Sequence, residues 1–204
     1  MKLIDLSHPI SNDMSTYPTD PKVSILRQKE IDKNSSLLHS FTMGTHTGTH
    51  LDTPAHIIPN GKTLSDFQLS SFLGNAVKVD SNSYEDLSKV EKRIDGVIYD
   101  TGWHLHFNEP SIYYGSDRPA IPANLVEKMV DMGIIFFGCD QPSVDVSGSK
   151  EKPIHNKLLG ADIIIYESLT NLNNLPLLTP FVFYGFPLPF KGLDGSPVRA
   201  IAVL

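Results

Sequence analysis

The chain has 204 residues, the length of one ordinary domain with a substantial hydrophobic core. Its hydrophobic fraction of 40% and charged fraction of 20% are typical of soluble globular proteins. The net charge of −6 disfavours nucleic acid or an anionic membrane as the main partner, and the single cysteine, Cys139, excludes an intrachain disulfide. No apolar stretch approaches the ~20 residues of a membrane span, and the N-terminus does not have the pattern of a signal peptide. We therefore expect one cytoplasmic domain, 1–204.

The N-terminal third is predicted to be mainly extended. Residues 2–10 alternate weakly in hydrophobicity and predict a first strand, and the prolines that follow mark a loop. Two further strands, 23–31 and 37–43, flank the polar sequence Asp32-Lys-Asn-Ser-Ser. They should form a hairpin that leads the chain to position 46.

The rest of the chain alternates between helical and strand patterns. Strands are predicted at 76–80, 94–101, 134–139, 163–166, 180–188 and 198–204. Helices are predicted at 64–73, 84–92, 122–132 and 153–159. Residues 103–121 lack periodicity, and a long loop of this kind in a compact domain usually serves function. Because helix and strand follow each other twice after 122, a partly parallel sheet with helical cover is expected. The fold class is α/β, a single mixed-sheet domain with helices packed on the sheet.

One short stretch gathers unusual chemistry. The sequence His46-Thr-Gly-Thr-His50-Leu-Asp52-Thr-Pro-Ala-His56 holds three of the eight histidines in eleven residues. Imidazole and carboxylate are ligands that suit Zn²⁺ or Mn²⁺. A catalytic metal site needs three protein ligands, an open position and a nearby base. We therefore predict that His46, His50 and Asp52 bind a metal and that His56 transfers protons.

The same stretch is expected to be extended at first and then helical. Thr and Gly between the first two histidines are poor helix formers, and alternate residues of a strand share a face. His50 and Asp52 should therefore point to one side, with Gly48 bending the chain to bring His46 there. Thr53 and Pro54 resemble an N-cap and a first helical position, which would turn His56 back toward the metal.

A second pair of candidate ligands lies far along the chain. His155 falls in the first turn of the helix predicted at 153–159, and Glu167 follows the strand 163–166. Such positions are common for polar residues, so spacing alone favours an ordinary structural role. If both residues met the first cluster, Asp52 could bridge two metals about 3.5 Å apart.

The stretch 46–56 resembles the H-x-G-[AT]-H-x-D-x-P-x-H signature of the cyclase-like metal hydrolases, a family that contains bacterial kynurenine formamidases and isatin hydrolases. Weaker landmarks of the family extend along the chain. They are Tyr17-Pro-x-Asp20, Thr101-Gly-Trp103, Asp140-x-Pro-Ser143 and Ser196-Pro-Val-Arg199. Two positions depart from the family pattern: Thr19 stands where glycine is usual, and Gln141 stands where many members have threonine.

The resemblance implies a fold of the swivelling β/β/α type and a metal-dependent amidohydrolase. It implies that His46, His50 and Asp52 bind one metal, with Asp52 bridging to a second metal bound by His155 and Glu167. The cofactor would be one or two Zn²⁺ ions, or Mn²⁺. The activity that the resemblance most directly implies is that of an arylformamidase, which converts N-formylkynurenine to kynurenine and formate in tryptophan catabolism.

Two other readings stay open. A relative of isatin hydrolase would open a cyclic amide or lactone, and a binding protein would hold metal without turnover. His56 counts against the binding protein, because a pure binding site would not need it. Cys139 lies in an apolar run and is expected to be an inert core residue.

The substrate is expected to be a small aryl amide, but its pocket is harder to predict. The aromatic loop could line it, with Tyr17, or could serve ordinary packing or a subunit contact. The loop's candidate residues are Trp103, His104, His106, Phe107, Tyr113 and Tyr114. The apolar segment 181–190 suits a core or a dimer face, so a homodimer or homotetramer is expected.

Overall fold

The computed structural model describes every residue from Met1 to Leu204. Its strands are β1 (Leu3–Asp5), β2 (Ser24–Lys29), β3 (Leu38–Thr42), β4 (His50–Asp52), β5 (Leu73–Val79), β6 (Gly96–Tyr99), β7 (Phe136–Cys139), β8 (Ile164–Glu167), β9 (Phe181–Tyr184), β10 (Gly195–Pro197) and β11 (Ile201–Val203). Its α-helices are α1 (Ile31–Asn34), α2 (Pro110–Tyr113), α3 (Ala123–Asp131) and α4 (Pro153–Gly160). None of the helices combines the length and the apolar composition that crossing a lipid bilayer requires.

A nine-stranded mixed sheet organises the molecule, in the order β1-β11-β9-β5-β6-β7-β8-β4-β10. The four central strands β5 to β8 are parallel, as the helix–strand repeats predict, and the flanking strands are antiparallel. The first and last strands pair with each other, with Leu3 opposite Val203. The predicted α/β fold with a mixed sheet is confirmed.

Two hydrophobic clusters cover the two faces of the sheet. On the face with α3 and α4, Val97 and Phe137 pack among Leu125 and Leu158. On the other face, Ile98 belongs to a cluster of aromatic and aliphatic side chains from β4, β8 and β9. Because both faces are covered, β6 and β7 are continuous apolar runs, as strands buried on both sides require.

The predicted hairpin is present but lies outside this core. Strands β2 and β3 form a separate two-stranded antiparallel sheet, with the short helix α1 between them. Every residue of β3 is exposed. The side chain of Asn12 ties the hairpin to the N-terminal loop by exchanging hydrogen bonds with the main chain of Ile25.

Three predictions of secondary structure are corrected. The helices predicted at 64–73 and 84–92 are short 3-10 turns. In the turn Tyr84–Lys89 only Leu87 is buried, so packing does not favour a longer helix there. The connection between the strands predicted at 180–188 and 198–204 is expected to be a loop, but it contains the strand β10. Its glycine and proline have low strand propensity, which is why the sequence does not indicate it. Pro197 is tolerated there because β10 is the edge strand of the sheet.

Candidate metal centre

The predicted ligands converge at the carboxyl end of the parallel strands. Strands β4 and β8 run antiparallel, and His50 lies directly opposite Glu167 in their register. Asp52 shares the face of His50, because it lies two residues further along β4. The Nε2 atom of His50 is 3.4 Å from Asp52 Oδ1 and 3.5 Å from Glu167 Oε2. All three side chains are buried.

A turn before β4 brings the first histidine to the same carboxylate. Gly48 has a φ of +61°, which favours glycine, and its carbonyl oxygen is 2.8 Å from Nδ1 of His50. That contact leaves His50 Nε2 free to face the carboxylates. Nδ1 of His46 lies 2.7 Å from Asp52 Oδ1. The expected bend at Gly48 is therefore confirmed.

His56 follows as the last residue of a 3-10 turn, Pro54–His56. Its ring centroid is 4.1 Å from that of His46. Thr53 occupies the N-cap position as predicted, but its side chain makes no capping bond. The Thr53 hydroxyl instead donates to the carbonyl oxygen of Asp194 at 2.9 Å, which joins this turn to the loop before β10.

The second predicted pair also reaches the cluster. His155 lies in the first turn of α4, and its Nε2 atom is 3.4 Å from Glu167 Oε1 and 3.6 Å from Asp52 Oδ2. Glu167 Oε1 also accepts the main-chain N–H of Val144 at 2.8 Å. The five predicted ligands and His56 therefore come together from three separate segments of the chain, the stretch 46–56, α4 and β8.

Sequence reasoning missed two carboxylates that hold these histidines in place. Asp194 Oδ2 lies 2.8 Å from Nε2 of His46 and 3.5 Å from Nδ1 of His56. Asp145 Oδ2 lies 2.7 Å from Nδ1 of His155. Carboxylates that bond the second nitrogen of a ligand histidine fix its orientation and raise its basicity. In the sequence, Asp194 is marked only by its position between Gly192 and Gly195, two residues before the family motif that begins at Ser196.

The carboxylates dominate the electrostatics of the cluster. Burial disfavours the charged imidazoles, yet the charges and hydrogen bonds of the surrounding acids raise the pKa of His46 to about 9 and of His50 to about 10. The same balance raises the pKa of His155 to about 11. Burial likewise disfavours the charged form of Asp52, but the neighbouring histidines hold its pKa well below the usual range. In the metal-free protein, protonated imidazoles therefore balance the charge of the buried carboxylates.

Asp52 belongs to two groups of potential ligands at once. One group combines it with His46 and His56, and the other combines it with His50 and Glu167; within each group the ligand atoms lie no more than 4.8 Å apart. The carboxylate thus stands between two potential cation positions, as a bridging role requires. In this arrangement His56 lies as near to Asp52 as a ligand does, so its predicted role as acid/base remains a prediction.

A third group, formed by Asp100, His104 and Asp140, is unlike the other two. Both oxygens of Asp140 already accept hydrogen bonds, from the main chain and hydroxyl of Thr101 and from the main chain of His104. Asp100 pairs with the ammonium of Lys78 at 3.2 Å. These carboxylates are satisfied by the protein, so the group serves to hold the loop after β6.

The cluster of candidate ligands opens into a cleft of about 370 Å³. Of the predicted aromatic lining only Tyr17 contributes to its wall. The residues predicted from the loop at 103–121 pack elsewhere: the indole N–H of Trp103 donates to the carbonyl oxygen of Tyr113 at 3.0 Å, and Tyr114 donates to Ser15. Ordinary loop packing therefore describes this loop in the single chain. Polar and charged side chains form most of the wall, including Thr19, Asp20, Arg118, Ser143, Ser149 and Lys152.

Cys139, the single cysteine, has the environment of a core residue. Cys139 is fully buried in β7, and burial raises the pKa of its thiol well above the usual range. A protonated thiol in a packed core is unreactive. This confirms the expectation of an inert core cysteine.

Known proteins resemble this chain over most of its length. Residues 4–146 match the family model described as "Putative cyclase". The kynurenine formamidase of Bacillus anthracis is 32% identical, with 98% of this chain and 96% of that protein covered. The kynurenine formamidase of Salinibacter ruber is also 32% identical, covering 98% and 97%.

Solved structures share the fold at lower identity. Isatin hydrolase A from Ralstonia solanacearum superposes with a TM-score of 0.85 at 22% identity, covering 98% of this chain and 91% of that one. A protein described as a potential metal-dependent hydrolase with cyclase activity gives a TM-score of 0.76 at 22% identity, covering 98% and 96%. The signature at 46–56, the cluster that it builds and these full-length similarities together show that the chain belongs to the cyclase family of metal-dependent hydrolases.

Proposed function

We propose that this protein is a metal-dependent arylformamidase that hydrolyses N-formylkynurenine to kynurenine and formate. The activity named for relatives that are 32% identical over 98% of the chain supports this reaction. The observation that carries the proposal is the shared carboxylate of Asp52, which contacts three histidines of a cleft that His56 also lines. One carboxylate between two ligand groups is a feature of hydrolytic metal sites.

The residues present fit a divalent cation. Asp52 Oδ2 is buried and has no hydrogen-bond partner, a costly state for a charged oxygen unless a cation meets it. His50 and His155 both turn Nε2 toward the carboxylates, while their Nδ1 atoms bond Gly48 and Asp145. Imidazole and carboxylate donors suit Zn²⁺ and Mn²⁺. We propose that His46, His50, Asp52, His155 and Glu167 hold one or two such ions.

Formamide hydrolysis requires the attacking water to lose a proton and the departing nitrogen to gain one. A bound divalent ion supplies Lewis acidity, which acidifies water and polarises the carbonyl. We assign the proton transfers to His56, since an imidazole can both accept and donate a proton and this side chain lines the cleft. Asp194, 3.5 Å from its Nδ1, orients the ring so that Nε2 is the nitrogen free to exchange protons.

The test is formate release from N-formylkynurenine by protein reconstituted with Zn²⁺ or Mn²⁺, measured beside ring opening of isatin. We expect formate release to depend on metal and to exceed isatin opening. Isatin opening in the absence of formamidase activity would favour the cyclic amide hydrolase. Full metal loading without turnover of any amide or lactone would favour the binding protein.

A homo-oligomeric, cytoplasmic enzyme also remains a proposal. Supporting the oligomer, the hairpin exposes Leu26 and Phe41, which are 57% and 60% exposed. A groove beside the hairpin is lined by Phe41 together with Leu188 and Phe190 of the segment predicted as a dimer face. Sedimentation velocity should give a mass of two or four chains; a monomer would contradict the proposal.

A further inference from the structure

One buried cation in the cleft wall lacks a counter-ion. The side chain of Arg118 is only 6% exposed. Its Nη2 atom donates to the carbonyl oxygen of Asp145 at 2.9 Å, while Nε and Nη1 have no hydrogen-bond partner. A guanidinium carries five N–H donors, so most of its hydrogen-bonding capacity is unused.

Elsewhere in the molecule a comparable cation is fully paired. Lys78 is also 6% exposed, and its ammonium contacts the carboxylate of Asp100 at 3.2 Å and the carbonyl oxygen of Leu172 at 3.0 Å. Burial of an unpaired charge is costly, which is why buried cations normally have such partners. Arg118 is therefore an exception that calls for an anion from outside the chain.

The acids around the cleft are engaged with other groups. Asp145 bonds His155 and the main chain of α4, and Glu167 belongs to the ligand cluster. Asp20 accepts the hydroxyl of Thr19 at 3.3 Å. The half-buried Lys152 also lines the cleft and forms no ion pair. The wall of the cleft thus carries two cations without a protein counter-ion.

The backbone beside Arg118 is held in place. The carbonyl oxygen of Pro119 accepts a hydrogen bond from the amide of Gln141 at 2.7 Å, and Gln141 is buried at the end of β7. A recognition group works best when its support is rigid, because little ordering is then required on binding. This support links the guanidinium to the same sheet that carries the ligands.

We propose that Arg118, assisted by Lys152, binds a carboxylate of the substrate at the end remote from the scissile amide. This inference rests on the proposed amide hydrolysis and defines its substrate class: aryl formamides whose side chain ends in a carboxylate. Guanidinium groups bind carboxylates through paired, charge-assisted hydrogen bonds. N-formylkynurenine carries such a carboxylate, whereas isatin is neutral, so the subsite selects between the two candidate reactions.

The test uses two substrates that differ only in charge. They are ortho-formamidobenzoylpropionate and its carboxamide. Because a hydrogen bond to a charged group contributes roughly 10- to 100-fold to binding, the wild type should prefer the carboxylate by about that factor in kcat/KM. Arg118→Met should reduce this preference to about threefold or less, mainly by raising KM for the carboxylate. Arg118→Lys should retain part of it, because the charge remains.

Two further variants complete the design. Lys152→Met should reduce the preference by roughly two- to fivefold, and it keeps the proposal testable if Arg118→Met does not fold. Arg93→Met is the matched control, because this arginine is 92% exposed and remote from the cleft. It should keep the wild-type preference. A wild type that turns over both substrates equally well overturns the proposal, as does an equal loss for both substrates in Arg118→Met.

A binding measurement separates this inference from the proposed reaction. Benzoylpropionate is titrated calorimetrically into metal-loaded wild type and Arg118→Met. Binding that weakens about 10- to 100-fold in the variant supports the subsite even if neither formamide is hydrolysed. Binding that is unaffected by the variant locates the carboxylate on the metal and overturns the subsite, while the formamidase proposal stands or falls on formate release.

Discussion

Asp52 is the residue on which the candidate site depends most. Its Oδ1 atom faces His46 and His50, and its Oδ2 atom faces His155 without a hydrogen bond. The sequence predicts Asp52 as a ligand from its spacing to the histidines. That the same carboxylate also meets His155, 103 positions further along the chain, follows only from the tertiary structure, in which β4 pairs with β8 and α4 packs against β8.

The roles of the histidines can be separated by substitution. We expect His56→Ala to keep most of the bound metal and to lose turnover by roughly 100-fold or more, the contribution typical of general acid–base catalysis. His46→Ala and Asp52→Ala should lose both metal and activity. Elemental analysis and formate release on the same samples give the comparison. A metal-loaded His56→Ala with near-normal turnover would show that the acid/base assignment is wrong.

Asp194 should act through the rings that it contacts. We expect Asp194→Asn to lower kcat by about 10- to 100-fold with most metal retained, a loss typical of supporting carboxylates. KM should change little, because Asp194 orients the ring of His56 and does not itself line the cleft. Asp162→Asn, which alters an acid 51% exposed on the surface, is the control. An unchanged kcat in metal-loaded Asp194→Asn would contradict the role.

At the scale of elements, β10 supports the ligands although it supplies none of them. It pairs with β4, with Gly195 opposite Asp52, and it places Asp194 beside the two histidines. Its sequence contains glycine and proline, so local propensity predicts a loop. The aromatic loop after β6 shows the reverse case. Its composition suggests a binding surface, yet Trp103, Tyr113 and Tyr114 donate hydrogen bonds to main-chain carbonyl oxygens of the protein.

The close approach of β10 to β4 can be tested by adding a methyl group at Gly195. A Cβ atom at Gly195 would lie 2.6 Å from the carbonyl oxygen of Leu51 and 2.8 Å from Cε1 of His46. Relief of this overlap must move the strand or the ring, so Gly195→Ala should weaken metal binding about tenfold or more, given overpacking costs of about 1–3 kcal/mol. Competition with a chromogenic chelator measures the affinity. Gly160→Ala is the matched control, since no atom lies within 4 Å there; equal affinities for the two variants would refute the argument.

At the scale of the whole molecule, the sheet joins both ends of the chain through β1 and β11. The prediction of a single domain agrees with this sheet and would be tested by unfolding in one cooperative transition. The ligand cluster is buried against the same sheet. Its charge balance should therefore influence the stability of the whole protein.

The metal-free protein should lose stability in alkali. The pKa values of His46, His50 and His155, about 9, 10 and 11, exceed the ~6.5 of an unfolded chain. Their contribution is fully present below pH ~6.5 and is lost as the pH rises through the folded values. We expect Tm of the metal-free protein to fall between pH 7 and about 10, and the metal-loaded protein, whose ligands are already deprotonated, to change less.

Scanning calorimetry across this range checks the prediction. Below neutrality the sign reverses. The pKa of Glu167 is lowered to about 2, so its contribution is present above the unfolded value near ~4 and is lost as the pH falls through the folded value. A flat Tm between pH 7 and 10 in metal-free protein would contradict this account of the cluster.

The sequence by itself determined the chemistry and the class of fold. Ligand types are local, and strand and helix periodicities are local, so His46, His50, Asp52 and the alternation of helix and strand could be found by spacing alone. Only the tertiary structure decided which distant groups complete the site. Asp145, Asp194 and the unpaired Arg118 come from loops without periodicity, and strand register and loop packing bring them to the cleft.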